Sequence, residues 1–304
     1  MADSRANQLS GPIALCFGEM LWDALPRGLF PGGAPMNVAY HLSRFGVRSA
    51  PVSAVGRDVL GDELLRRVRG WGLETSLISV REDKPTGLVR VHVDGHGPAY
   101  TIAEDVAWDW IDVPEKLPRM VEQADALIYG SLAQRAENNR KQLQRLFTVC
   151  KRALKVFDVN LRAPYDPSDL VWSLAKTADV IKLNDDEVRR LLGRNYSSTQ
   201  LEQAARDFSA RTNCPRICIT AGSNGAGLLL DSQWFRAPAE PVQIKDTVGA
   251  GDSFLAALVN GLLTGKEPAV NILTRACRLA EFVASSDGAT PAYTISPAGA
   301  IVAS

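Results

Sequence analysis

The sequence predicts an α/β protein built on a mostly parallel central sheet. The first observation is a set of short, nearly uninterrupted apolar runs, which are typical of strands covered on both faces. The second is that helix-like segments separate these runs, an alternation that indicates βαβ units. The chain has 304 residues, 46% of them hydrophobic and 22% charged, as in ordinary globular proteins. This length suits one large domain or two modest ones.

Six apolar runs predict the buried strands. Their ranges are 13–19, 50–56, 126–132, 155–160, 179–184 and 216–220. Between the first two runs, Val38, Leu42 and Phe45 follow helical spacing, and a glycine ends the pattern. Two longer amphipathic segments, 138–153 and 198–212, predict further helices.

One region departs from this alternation and predicts a small antiparallel flap. Residues 86–103 alternate in polarity and turn at an Asp-Gly pair, which indicates a hairpin. We expect residues near 22–31 to join it, so that a single domain carries a lid formed by about 22–31 and 86–105. Trp108 and Trp110 are expected to pack between the flap and the core.

The charge balance and the cysteines limit the expected partners and compartment. Lys+Arg and Asp+Glu both number 34, so no overall basic field favours nucleic acid or an anionic membrane. The start of the chain shows no signal-peptide pattern, and no apolar run reaches the roughly 20 residues that span a bilayer. Of the five cysteines, Cys16, Cys218 and Cys277 lie in apolar runs and suit free thiols. We therefore expect a cytoplasmic protein with small-molecule partners.

Polar residues and glycines follow the predicted strands at one edge of the sheet. In an open parallel sheet, ligands bind beyond the carboxyl ends of the strands, so these residues are candidates for a site. In chain order they are Asp23, Gly32, Gly33, Asn37, Asn160, Arg162, Asn184, Glu187, Thr220, Gly222 and Gly225. Asn184 and Glu187 are expected on one face of a helix. The recurrence at one edge is stronger evidence than any single residue.

The stretch “DTVGAGDSF”, residues 246–254, is the last candidate. Its core, Gly249-Ala250-Gly251, precedes an apolar helix, and such glycines let backbone N–H groups approach an anion at a helix N-terminus. Asp252 is placed to take a proton from a hydroxyl that attacks a bound phosphate. An aspartate in a first helical turn is also favourable through the helix dipole alone. The stretch by itself leaves both interpretations open.

Other catalytic patterns are weaker or absent. The sequence contains no GxxxxGK[ST] phosphate loop. Residues 249–254 imitate the dinucleotide fingerprint GxGxxG, but Phe254 occupies the third glycine position and the stretch lies near the C-terminus. His92 and His96 have metal-ligand spacing, but they fall at a hairpin tip that is expected to be solvated.

Taken together, the motifs resemble the ribokinase-like (PfkB) carbohydrate kinases. “DTVGAGDSF” resembles the C-terminal signature of that family, and “FPGGAPMNVAYHLSRFG” resembles its N-terminal signature. “DVNLR”, “NDDE” and “TAGSNGAG” match further motifs in the family's order, so the resemblance runs from Ile13 to about Thr290. Within the family, “GEMLWD” and “YTIAEDVAWD” are most similar to fructokinases.

The resemblance implies a three-layer α/β/α sandwich with a mostly parallel central sheet and a small β-sheet lid. It also implies transfer of the ATP γ-phosphate to a primary hydroxyl of a sugar, with fructose yielding fructose 6-phosphate. Asp252 matches the catalytic base, and Gly249, Ala250 and Gly251 match the anion hole. The matches to sugar-binding positions are Asp23, Gly32, Gly33, Asn37, Asn160 and Arg162. The matches to nucleotide-binding positions are Asn184, Thr220, Gly222 and Gly225, with Gly249 and Gly251.

The resemblance further implies cofactors and an assembly. Glu187 matches an acidic residue that acts on Mg²⁺ largely through water. Asp246 and the Val248 carbonyl, with backbone near Gly288, match a monovalent-cation site. The implied cofactors are therefore ATP and Mg²⁺, with K⁺ as a candidate. A homodimer formed through the lid is a further candidate.

Three alternatives stay open from the sequence. The first is a kinase for another sugar or sugar acid, such as ribose or 2-keto-3-deoxygluconate, since Arg162 is compatible with an acidic substrate. The second is a non-catalytic regulator that binds sugar or nucleotide, although Asp252 and the glycine core favour an enzyme. The third is a nicotinamide-dependent oxidoreductase, which only the α/β pattern suggests.

Overall fold

The chain folds around a nine-stranded sheet with helices on both faces. The computed structural model describes residues 11–25, 28–94, 97–296 and 299–303. In chain order its strands are β1 (Ile13–Phe17), β2 (Leu21–Leu25), β3 (Gly28–Gly32), β4 (Arg48–Gly56), β5 (Ile78–Arg81), β6 (Gly87–Asp94), β7 (Gly97–Ile102), β8 (Ala126–Gly130), β9 (Leu154–Asp158), β10 (Val180–Asn184), β11 (Arg216–Thr220), β12 (Ala226–Leu230), β13 (Gln233–Ala237), β14 (Tyr293–Ile295) and β15 (Ile301–Ala303).

Along the chain, the helices mostly alternate with the strands of the large sheet. They are α1 (Ala34–Arg44), α2 (Val59–Gly70), α3 (Arg119–Glu122), α4 (Glu137–Val149), α5 (Ser168–Ala175), α6 (Asp185–Leu192), α7 (Leu201–Thr212), α8 (Ala250–Thr264) and α9 (Ala269–Ala284). Short 3-10 turns cover Ala107–Trp110, Leu132–Arg135 and Gly222–Asn224. Among the described residues, no helix is long and apolar enough to cross a membrane.

The large sheet has the strand order β13-β12-β11-β10-β9-β8-β1-β4-β5. In this order, neighbouring strands from β11 through β1 to β5 pair in parallel, and β12 and β13 add an antiparallel edge. The predicted mostly parallel sheet is thus confirmed, and all six predicted strands are present. β5 and β12–β15 were not predicted from the sequence.

Two apolar cores cover the two faces of the large sheet. Ile181 and Leu183 of β10 belong to one core, which α4, α5, α6 and α7 complete. Val180 of β10 belongs to the other core, with α1, α2, α8 and α9. Alternate residues of a strand point to opposite faces, so this division produces the three-layer arrangement. The five cysteines are buried free thiols within these layers.

A separate four-stranded sheet has the order β3-β2-β6-β7, with β2 and β6 parallel and β6 and β7 antiparallel. Its strands fall in the two segments expected to form a flap. Residues 26–27 and 95–96 of those segments lie outside the described residues. The metal site considered for His92 and His96 falls there too, because His96 is one of these residues.

One apolar cluster joins this small sheet to the main body. Leu21 and Val89 of the small sheet pack with Trp108 and Leu132, and Trp108 is fully buried. The packing role predicted for Trp108 is therefore confirmed. The same prediction is wrong for Trp110, which is 40% exposed and lies beneath the Lys84 ammonium.

Candidate active site

Asp252 lies in the first turn of α8, where the helix meets the carboxyl edge of the large sheet. The residue is 8% exposed, and its carboxylate accepts a 2.8 Å hydrogen bond from Asn37 Nδ2 in the first turn of α1. The two residues are 215 positions apart in the chain, and the fold brings them together. Within the described part of the chain, Asn37 is the one side-chain donor to this carboxylate, whose other lone pairs can accept from a ligand.

The glycine stretch before Asp252 forms the N-terminus of α8. Gly249 caps the helix with φ 79°, a left-handed conformation, and a Cβ at this position would lie 2.6 Å from Ala289 Cα. The helix begins at Ala250, so Ala250 and Gly251 belong to its first turn. N–H groups at the start of a helix lack partners within the helix and favour an anion.

Two further carboxylates, Glu19 and Asp23, surround Asp252. Burial raises the pKa of Glu19 to about 7 and the pKa of Asp23 to about 6, and repulsion from Asp252 adds to both shifts. Burial also raises the pKa of Asp252 to about 6, with Asp158 adding to the shift and the Asn37 hydrogen bond opposing it. The cluster thus concentrates proton-accepting groups near neutral pH.

The predicted glycines at the start of α1 allow close packing beside these acids. A Cβ on Gly32 would lie 2.1 Å from Asp23 Oδ2, and a Cβ on Gly33 would lie 2.3 Å from the Glu19 carbonyl oxygen. Gly33 also has φ 113°. Glu19 Oε1 accepts a 3.2 Å hydrogen bond from the Ala34 N–H, which fixes the turn into α1.

The loop after β9 carries Asn160 and Arg162. Asn160 has a positive φ of 38°, and its carbonyl oxygen accepts a 3.3 Å hydrogen bond from Ser131 Oγ. The exposed Arg162 guanidinium lowers the pKa values of Glu19, Asp23 and Asp252, so it lies on the same side of the sheet as these acids.

Asn184 and Glu187 form a reciprocal cap at the start of α6. Asn184 Oδ1 accepts from the Glu187 N–H and Glu187 Oε2 accepts from the Asn184 N–H, each at 2.8 Å. The two side chains meet at the start of the helix, as their i, i+3 spacing predicts, and Asn184 itself is the N-cap residue that ends β10. Glu187 Oε1 also accepts a 2.8 Å bond from the Leu161 N–H, which ties α6 to the loop after β9.

Thr220, Gly222 and Gly225 lie in the connection between β11 and β12. Thr220 pairs with Asn184 in parallel register, so the two residues are neighbours at the edge of the sheet. Gly225 has φ 81°, and a Cβ there would lie 2.1 Å from the Ala237 carbonyl oxygen. The tight turn therefore requires glycine at this position.

Asp246, Val248 and Gly288 lie beside the glycine stretch. Asp246 Oδ1 accepts a 3.0 Å hydrogen bond from the Val248 N–H, which ties the two residues together. Gly288 has φ 73° and directly precedes Ala289, which contacts Gly249. These oxygen-rich segments suit a hard monovalent cation. Within the described parts of the chain, no group of three or more His, Cys, Asp and Glu side chains is arranged to hold a metal.

The sequence interpretation missed a buried ion pair beneath α8. Lys182 Nζ of β10 donates a 3.0 Å hydrogen bond to Asp158 Oδ1 of β9, and both side chains are less than 8% exposed. It also missed the buried Glu19. A usable signal was present in the sequence, because “VIKLN” and “VFDVN” each place a charge inside a run otherwise typical of a buried strand.

Comparisons with known proteins show the family and the fold of the chain. The chain matches the pfkB family carbohydrate kinases over residues 26–295. A fructokinase of Klebsiella pneumoniae is 31% identical over 258 residues, which cover 81% of this chain and 82% of that protein. An uncharacterized sugar kinase from Pyrococcus horikoshii, solved in complex with ATP, is 28% identical, with a TM-score of 0.75 over 91% of this chain and 94% of that one. A Xylella fastidiosa fructokinase solved with bound ATP shares the fold, with a TM-score of 0.80 at 22% identity over 91% of this chain and 94% of that one.

Proposed function

Because the chain belongs to the pfkB family of carbohydrate kinases, and is therefore a sugar kinase, we propose that it transfers the γ-phosphate of ATP to O6 of fructose. The observation that carries this proposal is the buried Asp252 carboxylate at the N-terminus of α8, behind the glycine cap and in contact with Asn37. An anion-binding helix end and a proton acceptor are two of the elements that phosphoryl transfer to an alcohol uses.

Asp252 acts as the general base in the proposed reaction. The sugar O6–H proton passes to the Asp252 carboxylate as the oxygen forms a bond to the γ-phosphorus. The bond from that phosphorus to the bridging oxygen of ADP breaks, and its electron pair leaves with ADP. The pKa of Asp252 near 6 leaves it mostly ionised at neutral pH while keeping it a useful proton acceptor.

The N–H groups around Gly249, Ala250 and Gly251 stabilise the negative charge of the transferring phosphoryl group. Asn184, Thr220, Gly222 and Gly225 line the nucleotide side in this proposal. Mg²⁺ supplies charge neutralisation on the phosphates when bound. Glu187 fits a role toward Mg²⁺ through water, because both of its carboxylate oxygens already accept backbone hydrogen bonds at 2.8 Å.

Asp23, Gly32, Gly33, Asn37, Asn160 and Arg162 are the proposed sugar contacts. Carboxylate, amide and backbone groups suit the hydroxyls of a polyol. The Klebsiella relative supports fructose as the sugar. Arg162 supports a second candidate, a sugar acid such as 2-keto-3-deoxygluconate, because its exposed guanidinium faces the acidic cluster and could pair with a carboxylate.

The remaining proposals concern the whole chain. We propose a single kinase domain in which the small sheet is the lid over the sugar, and a homodimer formed through that lid. Asp246, Val248 and Gly288 are the proposed K⁺ ligands. Five buried thiols support a reducing compartment such as the cytoplasm.

A substrate panel tests the proposed function. The purified protein is given ATP and Mg²⁺ with fructose, ribose, 2-keto-3-deoxygluconate or no acceptor, with and without K⁺, and ADP release is followed by a coupled assay. Fructose is expected to give the highest kcat/KM. A higher value for the sugar acid would favour the second candidate. Sugar binding without sugar-dependent ADP release would instead indicate a non-catalytic regulator.

Asp252→Asn tests the base. We expect kcat to fall about 10²–10⁴-fold while the thermal unfolding temperature changes little, because the amide keeps an acceptor for Asn37 but cannot take the proton. Asp169→Asn is the matched control, since Asp169 also lies in a first helical turn, that of α5. Near-normal turnover in Asp252→Asn would show that Asp252 is not the base, and that its carboxylate only stabilises the helix through the helix dipole.

A further inference from the structure

Lys182 places an ammonium group inside the protein, directly beneath the N-terminus of α8. Its side chain is 7% exposed, and its partner Asp158 is 5% exposed. Lys182 follows Val180 by two positions in β10, so both point to the face of the sheet that α1, α8 and α9 cover. Asp158 has the same relation to Val156 in β9. The ion pair therefore replaces apolar residues at the end of an otherwise apolar face.

The Lys182 ammonium lies close to the glycine stretch. A Cβ on Gly251 would lie 3.1 Å from Lys182 Nζ, so the absence of a side chain at Gly251 opens the space between ammonium and helix end. Among the described residues the ammonium makes one hydrogen bond, to Asp158 Oδ1. An ammonium has three N–H donors, and two of them remain available.

The charges around Lys182 keep it protonated. Burial by itself lowers the pKa of Lys182, but the carboxylates of Asp158, Glu187 and Asp252 outweigh burial and raise it. Two of these carboxylates belong to the proposed catalytic and metal-linked groups. The ammonium thus lies near enough to these acidic groups to interact with all three electrostatically.

We propose that Lys182 donates a hydrogen bond from its ammonium to a non-bridging oxygen of the phosphoryl group held at Gly249–Gly251, and that Asp158 orients it. This inference rests on the proposed kinase function. A fixed, desolvated positive charge at this point stabilises the charge that develops as the phosphorus–oxygen bond to the sugar forms and the bond to ADP breaks. Lys182 keeps its proton throughout, because the proton of the sugar hydroxyl goes to Asp252.

The first test measures turnover and nucleotide binding in Lys182→Met. We expect kcat to fall at least about 100-fold, the typical effect of removing one preorganised donor from a charge-stabilising site. Affinity for ATP should fall about 10-fold or more, while affinity for ADP, which lacks the γ-phosphate, changes little. A kcat or an ATP-to-ADP affinity ratio equal to that of the wild type would overturn the proposal.

Lys155→Met is the matched control. Lys155 is a lysine of the neighbouring strand β9, near its opposite end, and its ammonium lies 5.5 Å from the centre of the Phe147 ring. It is remote from the helix end, so kcat and the ATP-to-ADP affinity ratio should both stay at wild-type values. A loss equal to that of Lys182→Met would assign the effect to general damage and overturn the proposal.

A double variant separates charge stabilisation from a structural role. Lys182→Met alone leaves the Asp158 carboxylate buried and unpaired, whereas Lys182→Met/Asp158→Asn removes both charges and should fold more stably than the single variant. If Lys182 acts on the phosphate, the double variant remains slow and keeps the lowered ATP-to-ADP affinity ratio of the single variant. If the pair is only structural, the double variant regains wild-type turnover, and the proposal is wrong.

These measurements also distinguish a failure of the proposed function. A wild-type protein without sugar-dependent ADP release would contradict the kinase function whatever the variants do. A wild type that turns over normally, with a double variant that does so too, contradicts the role of Lys182 alone.

Discussion

The protonation of Asp252 is set by opposing influences of named neighbours. Burial and the Asp158 carboxylate raise its pKa to about 6, while Asn37, Lys182 and Arg162 lower it. The residue type and its place before a helix could be predicted from the sequence. The burial and these neighbours could not, because they come from other strands and helices. The same side chain in solvent would be a weaker proton acceptor.

Glu19 offers a test of how costly this acidic cluster is for folding. Burial raises its pKa from 4.5 to about 7, and its Oε2 atom has no hydrogen-bond partner among the described residues. A raised folded-state pKa gives stability that is fully present below pH 4.5 and is lost as the pH rises through about 7. The ionised Glu19 is therefore unfavourable at pH 8.

Glu19→Gln should accordingly stabilise the protein at pH 8. The gain in unfolding free energy is about 3 kcal/mol, because each pKa unit between 4.5 and about 7 corresponds to 1.36 kcal/mol, and it should disappear as the pH falls toward 4.5. Urea unfolding at both pH values measures it. Glu137→Gln, at an exposed site on α4, is the control and should show no such gain. An equal effect of Glu19→Gln at both pH values would contradict this account.

At the scale of the element, α1 makes hydrogen bonds to two parts of the site, the Asp252 carboxylate and the segment beside Gly249. Asn37 holds Asp252, and one turn later His41 Nε2 donates a 2.9 Å hydrogen bond to the Ala289 carbonyl beside Gly249. A carbonyl can only accept, so the neutral ring of His41 accepts at Nδ1 from the Tyr293 hydroxyl, at 2.8 Å. Burial lowers the pKa of His41 to about 4, which keeps the ring neutral.

The prediction for α1 concerns His41→Leu. This change leaves the Ala289 carbonyl and the Tyr293 hydroxyl buried without partners, at a cost of about 1–3 kcal/mol each. We expect a loss of about 2–6 kcal/mol in urea unfolding, and a lower kcat because Ala289 supports the glycine cap. Tyr293→Phe is the control and should lose less, since it removes one hydrogen bond. Unchanged stability in His41→Leu would show that α1 does not anchor this segment through His41.

Elements were predictable from the sequence where their own pattern was sufficient. The apolar runs of β1, β4, β8, β9, β10 and β11 predicted strands, and the helical spacing of Val38 and Leu42 predicted α1. β5 has only four residues, and β12 and β13 form an edge hairpin whose pattern is short. The reciprocal cap of Asn184 could have been predicted, because an Asn followed three residues later by a Glu is a sequence signature of a helix N-terminus.

At the scale of the whole molecule, the small sheet is fixed to the main body at its base. Arg135, in the turn after β8, donates to both carboxylate oxygens of Asp109 at 2.8 Å and to the Ala103 carbonyl at 2.6 Å. Its guanidinium also lies over the rings of Trp108 and Tyr165, at 4.0 and 4.6 Å. The flap could be predicted from its alternating pattern. This attachment could not, because it joins segments about 30 residues apart that share no motif.

Arg135→Met tests whether this attachment holds the small sheet in place. The variant leaves the Asp109 carboxylate buried without its cation, so we expect a loss of about 3–5 kcal/mol in unfolding free energy. Hydrogen exchange should rise more in β6 and β7 than in β8 and β9, because the guanidinium bonds the segment that follows β7.

Two variants are the controls for Arg135→Met. Arg135→Met/Asp109→Asn should recover much of the stability. Arg206→Met, which breaks an exposed pair with Glu202, should lose less than about 1 kcal/mol. If β6 and β7 exchange no faster in Arg135→Met than in the wild type, the small sheet is held by the apolar cluster around Trp108 without help from the ion pair.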